Sequence, residues 1–337
     1  MTSAASSTAP EWGEDRLPPR QRAWSAIRGA APIFLVLLAL LVAIAIRNPN
    51  FTEPSVFLAF LKRATPLAIL AAGQLFVVVA GEIDLSVGSL ITAVVVAAAG
   101  LIDGDPAKTW PVIALLFLGG AVVGSINGSI TTRLGVPSFI TTLGMLLVLQ
   151  GGALLATGGS PRGSLPDNFR VFGRRGFEGV PAIGQLPYSV VILVVVGALA
   201  VALLHRTTFG KQLFAAGGNP RAATLSGVDV PRVRTFAFML SAISAVVAGI
   251  LLGGFAGLSQ NAGEGAEFQA ISAVVLGGAS LSGGRGGTIA AMAGALTLEA
   301  LFTLLNLLGL PKPLRDAVQG AIIIAAVAFA AYRSRQR

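Results

Sequence analysis

The chain has 337 residues, 54% hydrophobic and only 12% charged, with a mean hydropathy of +0.79. A soluble domain of this size carries about 25% charge, so the composition excludes one and points to an integral membrane protein. The absence of cysteine excludes disulfides, thiolate metal sites and thiol catalysis, and the net charge of +9 reads as membrane topology rather than nucleic-acid binding, because basic residues of short loops stay in the cytoplasm.

A helical crossing takes about 20 apolar residues, which leaves room for about eight to ten spans. The fold class is therefore an all-α polytopic bundle with short interfacial and coupling helices. A single membrane domain at 29–333 lies between a Ser-, Pro- and charge-rich tail at 1–28 and a basic tail at 334–337. The first apolar run begins near residue 31, too late for a secretory leader, and is read as a retained span over 31–46. The stretch 47–63, with Asn48, Pro49, Pro54 and the sequence FLAFLKR, reads as a short interfacial helix outside. The second span follows at 64–80.

The next stretch is GEIDLSVGS, from Gly81 to Ser89. Asp84 is placed to cap the following helix with its carboxylate, and Ser86, Gly88 and Ser89 keep that helix start slim. A third span covers 85–102, and a tight loop leads to a fourth at 110–131. Gly120, Gly124 and Gly128 form a face there for close helix contact. A turn at 133–137, a fifth span at 138–156, a long loop at 158–187 and a sixth span at 188–204 come next.

Residues 206–234 form a polar island, with Arg206, Lys211, Arg221, Arg232 and Arg234 against the single acid Asp229. A seventh span at 236–252 has Gly249, Gly253 and Gly257 as a second slim face. The eighth element, 270–279, is too short to cross alone, so it is either extended or a re-entrant half-helix buried in protein. A ninth span at 289–308 carries Glu299, and a tenth covers 317–332. Ten crossings place both termini on one side, and the larger share of the basic residues falls in the loops on that side, which predicts cytoplasmic termini in a cell membrane.

No catalytic constellation is present. His205 sits at a span end as an interfacial residue. Gly210-Lys211 lacks the upstream glycine and the Ser or Thr of a Walker A loop, and Gly283 to Gly287 does not fit the dinucleotide pattern and reads as close helix packing. Polar groups inside spans face a bundle interior or a wet path, which makes Gln74, Asn127, Gln150, Glu299, Asn306 and Gln319 candidates for a solute path. Neutral amides suit a hydroxylated solute.

Several motifs in order carry a resemblance: GEIDLSVGS at 81, VPSFITTLG at 136, GGNPRAATLSGV at 217, AVVLGGASLSGGRG at 273 and LNLLGL at 305. Together they resemble the permease subunits of ribose-type sugar ABC importers, within the branched-chain amino acid and ribose permease superfamily. The resemblance implies a transport subunit and not an enzyme. It also implies two cytoplasmic ATPase chains that bind ATP and Mg, an extracytoplasmic sugar-binding protein, and a second permease copy. This chain is expected to hold no cofactor.

Carried over by position, 217–228 becomes the segment that couples to the ATPase, and the basic flanks only set topology. The residues agree with that role. Asn219 and Pro220 start a short helix, Ala222, Ala223 and Leu225 give it a small packing face, and Gly227 ends it; Gly217 and Ser226 complete the set. Glu82 and Glu299 depart from the family pattern by adding acids, each open to pairing with a basic residue on a neighbouring helix. The alternatives are a permease for a branched-chain amino acid or a nucleoside, and a proton-driven secondary transporter using Glu299.

Overall fold

A computed structural model describes residues 19–324, apart from 161, 182, 312, 316, 319 and 323, with side chains from residue 32 onward. Gln319, most of the tenth predicted span and both tail ends lie outside the described residues. The chain forms α1 (Pro19–Arg47), a 3-10 turn (Pro49–Thr52), α2 (Pro54–Val79), α3 (Val87–Ile102), α4 (Thr109–Arg133), α5 (Ser138–Thr157) and α6 (Asp167–Arg174). After a two-stranded hairpin, β1 (Gly176–Val180) and β2 (Gly184–Pro187), come α7 (Tyr188–Arg206), α8 (Thr208–Gly218), α9 (Pro220–Leu225), α10 (Val230–Ala256), α11 (Ala266–Leu276) and α12 (Thr288–Leu307). Among the described residues, 6 helices are long and apolar enough to cross a membrane, while the apolar part of α1, α3 and α11 are shorter.

The bundle is built on α2 and α10, each 61% buried along its apolar stretch, whereas α5 is 11% buried and lies on the rim. α10 packs against α4, α2, α3 and α6. The predicted glycine face of α4 brings two backbones together. A Cβ at Gly124 would come within 2.6 Å of the Phe238 carbonyl, and one at Gly128 within 2.5 Å of the Thr235 Cα. Backbones that approach this closely gain dispersion contacts that lipid does not offer. Further along α10, Gly249 meets Val94 and the Ile91 carbonyl in the same way. Gly257 is not part of that face; it is the residue that ends α10.

Residues 54–63 do not form a separate interfacial helix. α2 runs unbroken from Pro54 through Lys62 and Arg63 into the core. The Phe51, Phe57 and Phe60 rings meet edge-on at 5.6 and 5.9 Å and fix its outer end, where Ile44 of α1 and Ala300 of α12 complete a small core. The long loop at 158–187 also folds. α6 buries Phe169 and sets Gly173 against the end of α10, so closely that a Cβ there would meet Leu251 and Gly254 backbone.

Two crossings are only half helical. From the end of α2, the chain turns at Ala80-Gly81 and residues 82–86 run without helix before α3 begins at Val87. From the end of α10, residues 257–265 turn back into the bundle before α11 begins. Gly263 touches Gly88, and its N–H donates to Thr92 Oγ1 at 3.1 Å. Gly88 lies about 21 Å of helix below Ile102, so the 257–265 segment descends well into the interior. The short eighth element is thus the buried half-helix of a broken crossing, and non-helical backbone is tolerated here because protein surrounds it.

Candidate coupling site

The end of each broken crossing opposite α6 meets α8 and α9. α8 is held to the bundle by Phe209, whose ring lies 6.2 Å from Phe76 of α2 and 4.9 Å from Phe236 of α10. It ends in Gly217-Gly218, where three chain segments converge. A Cβ at Gly217 would strike the Val79 carbonyl and come within 2.7 Å of the Gly284 nitrogen. One at Gly283 would sit 2.7 Å from the Gly217 carbonyl and 2.8 Å from the Gly81 Cα. The Gly284 N–H donates to the Val79 carbonyl at 2.9 Å. Gly217 is therefore buried in this junction, not presented to a partner.

α9 projects from that junction. Asn219 caps it, accepting the Ala222 N–H at 3.0 Å, and Pro220 opens it at a position whose N–H is dispensable. Gly227, with φ +84°, takes the left-handed turn that ends it. Of the expected packing face, Ala222 and Leu225 point outward, and Leu225 is 86% exposed. Ala223 instead faces inward and joins the core. Ser226 is exposed and donates to the Ala222 carbonyl at 2.9 Å. A partner meeting α9 would therefore meet Arg221, Ala222, Thr224 and Leu225.

Deeper in the same connector, Asp84 is fully buried. It does not cap α3, whose N-cap is Ser86. Its Oδ1 accepts the Ser86 N–H at 3.0 Å and the Ser86 hydroxyl at 2.6 Å, and its Oδ2 accepts the Ser241 hydroxyl of α10 at 3.0 Å. Asn127 of α4 donates to Ser86 Oγ at 2.9 Å, and Gln74 of α2 lies 3.4 Å from Ser241 Oγ. A serine hydroxyl has one proton, and Ser241 spends it on the nearer acceptor, Asp84. The Gln74 amide therefore satisfies Ser241 best with its NH2 group inward. Two matching arms then run amide to serine to carboxylate and tie α2, α4 and α10 to the first break. Gly88 and Ser89 lie on the first turn of α3, where the Glu267 carboxylate of α11 covers Gly88. A carboxylate at this meeting of two helix N-termini is placed where their dipoles favour it.

With this geometry in view, comparison with known proteins assigns the chain. Residues 56–327 match the model of the branched-chain amino acid transport system / permease component family. The chain belongs to that family. It is similar to the ribose import permease protein of Bacillus subtilis (strain 168), 37% identical over 299 residues, covering 87% of this chain and 90% of the relative. The ribose import permease protein of Escherichia coli (strain K12) is 37% identical over 296 residues, 86% of this chain and 91% of the relative. The L-arabinose ABC transporter permease protein of Azospirillum brasilense is 32% identical over 323 residues, 95% of this chain and 93% of the relative. No solved structure matches. The permease is a multi-pass membrane protein, a transport component and not an enzyme.

The predicted solute-path residues of the permease do not converge. Gln74 and Asn127 belong to the Asp84 arms, Gln150 is exposed on the open face of α5, and Asn306 accepts a hydrogen bond from Arg315 at 3.0 Å. Glu299 pairs with Arg63 of α2 at 3.6 Å, with side chains 21% and 45% exposed respectively. Glu82 pairs with Arg234 of α10 at 2.7 Å. Both added acids thus have basic partners inside the chain. With its carboxylate engaged by Arg63, Glu299 reads as a structural partner, and Glu299→Gln is expected to retain uptake with the wild-type pH profile. Transport rates measured across pH check this, and loss of the profile would assign Glu299 a proton-handling role.

Sequence reasoning missed Ser241, Arg234 and the Gly283-Gly284 contact with α8. A hydroxyl in an apolar span and an arginine seven residues before it, on the same face of α10, were the available signals. His205 lies beside Phe214, ring to ring at 6.0 Å.

Proposed function

We propose that the permease is the membrane subunit of an ATP-driven importer for a monosaccharide of the ribose or xylose kind. An extracytoplasmic binding protein delivers the sugar, and two copies of the chain form the path. ATP and Mg are bound by separate cytoplasmic ATPase chains that dock on α9, and this chain holds neither. The α9 side is then cytoplasmic, as are both termini. The observation that carries the reading is α9 itself: an exposed, capped helix with a protruding leucine, joined through Gly217-Gly218 of α8 to the backbones of both broken crossings. The sugar class rests on the relatives, which are named for import of ribose, L-arabinose and autoinducer 2. The second copy is favoured by the rim position of α5, whose outward face carries Gly144, Gly151, Gly152 and Gln150 with nothing against them.

The decisive test is uptake in reconstituted vesicles with the cognate ATPase and binding protein. Uptake that requires ATP and survives an uncoupler is expected; uptake that survives ATP depletion and collapses with the uncoupler would overturn the reading. Leu225→Asp adds a specific check. An exposed side chain changes fold stability by about 0.5 kcal/mol or less, while an interface anchor of this kind is worth about 2 kcal/mol. The variant is expected to insert normally and lose ATPase association in co-purification.

A further inference from the structure

Arg234 stands in the second turn of α10 and reaches two elements at once. Its Nη1 meets Glu82 Oε1 at 2.7 Å, with the side chains 20% and 13% exposed, and its Nη2 points at the Ala216 carbonyl at 3.5 Å. Glu82 lies in the non-helical half of the first broken crossing, and Ala216 lies at the end of α8. The chain between Ala216 and Arg234 contains α9. Arg234 therefore closes a triangle of α8, α9 and the start of α10, and pins its base to the connector at 80–86.

The base is otherwise held by glycine contacts at Gly81, Gly217, Gly283 and Gly284 and by apolar packing of Phe209, Leu213 and Ala216. The glycine contacts resist compression and the apolar ones are non-directional, so beyond the Gly284 to Val79 hydrogen bond they do little to fix the angle between the segments. A charge pair this enclosed does resist separation, since each partner would be left as a poorly solvated charge. Resting on the importer reading above, we infer that Arg234 and Glu82 are positioning residues that lock the first helix break to the base of α9. A displacement of α9 by the ATPase is then passed to the connector and is not absorbed by bending between α8 and α10.

The test uses the whole reconstituted complex, measuring sugar uptake and ATP hydrolysis in the same vesicles. E82Q and R234Q are each expected to lower the uptake per ATP hydrolysed by about tenfold or more while hydrolysis continues. The exchanged double variant E82R/R234E should recover much of the ratio, as should the conservative E82D. Single variants with the wild-type ratio overturn the lock, and so does a double variant no better than the singles, which would reduce the pair to a folding contact. ATP-independent uptake by the unmodified complex overturns the importer reading and the lock with it, whereas ATP-driven uptake whose ratio ignores both single variants overturns the lock alone.

Discussion

Gly217→Leu is expected to abolish transport. The new side chain would enter space held by the Val79 carbonyl and the Gly284 nitrogen, both backbone atoms that cannot rotate away. Overpacking against side chains costs about 1–3 kcal/mol; against two backbones the cost lies at or above that range. The variant should lower the thermal midpoint of the purified permease and separate α8 from the first break. Gly218→Ala, one residue on, is the control. Its Cβ would meet only the Gly284 Cα at 4.0 Å, so its stability and uptake should stay near wild type. A Gly217→Leu protein with unchanged unfolding midpoint and uptake would show that α8 is not seated on the connector.

Asp84→Ala should rank second. The carboxylate accepts three hydrogen bonds, and alanine leaves their donors buried without an acceptor. The serine hydroxyls can turn toward other oxygens, but the Ser86 N–H cannot, so the expected loss is about 3 kcal/mol. Asp84→Asn should be milder, because its oxygen can still take the Ser86 N–H while its NH2 donates to Ser241 Oγ, a hydroxyl able to accept. Unfolding midpoints in the order wild type, Asn, Ala check the argument. An Asn variant as unstable as the Ala variant would mean that charge, and not acceptor count, holds the site.

The spans were legible because lipid demands long apolar runs, and the glycine faces of α4 and of α10 at Gly249 because close backbones demand small residues at helical spacing. The cap at Asn219, Pro220 and Gly227 was legible because it depends on local backbone chemistry alone. The continuity of α2 was not, since the basic pair Lys62-Arg63 ends the apolar run without ending the helix. The descent of 257–265 into the bundle was not legible either, since it is set by Gly263 meeting Gly88, a contact between segments distant in the chain. The pairs Glu82 with Arg234 and Glu299 with Arg63 have the same origin. Composition showed that these acids needed partners, and only the fold supplied their identity. Ala223 shows the finer limit: a six-residue helix of small side chains has no apolar stripe long enough to tell its inner from its outer face.

The Asp84 arms also bear on how the chain is made. Asp84 draws its Oδ2 partner from Ser241, 157 residues later, and the connector's backbone waits for Gly217 and Gly284. At about 5–20 residues per second, the ribosome needs roughly ten to thirty seconds to deliver Ser241 after Asp84. Throughout that interval the non-helical half of the first broken crossing has only its nearer partners, Ser86, Asn127 and Ser138, and lacks those from α8, α10 and the Gly283-Gly284 turn. The nascent permease must therefore shelter this segment at the translocon or in a provisional, straighter form, and the true break is set only when α10 arrives.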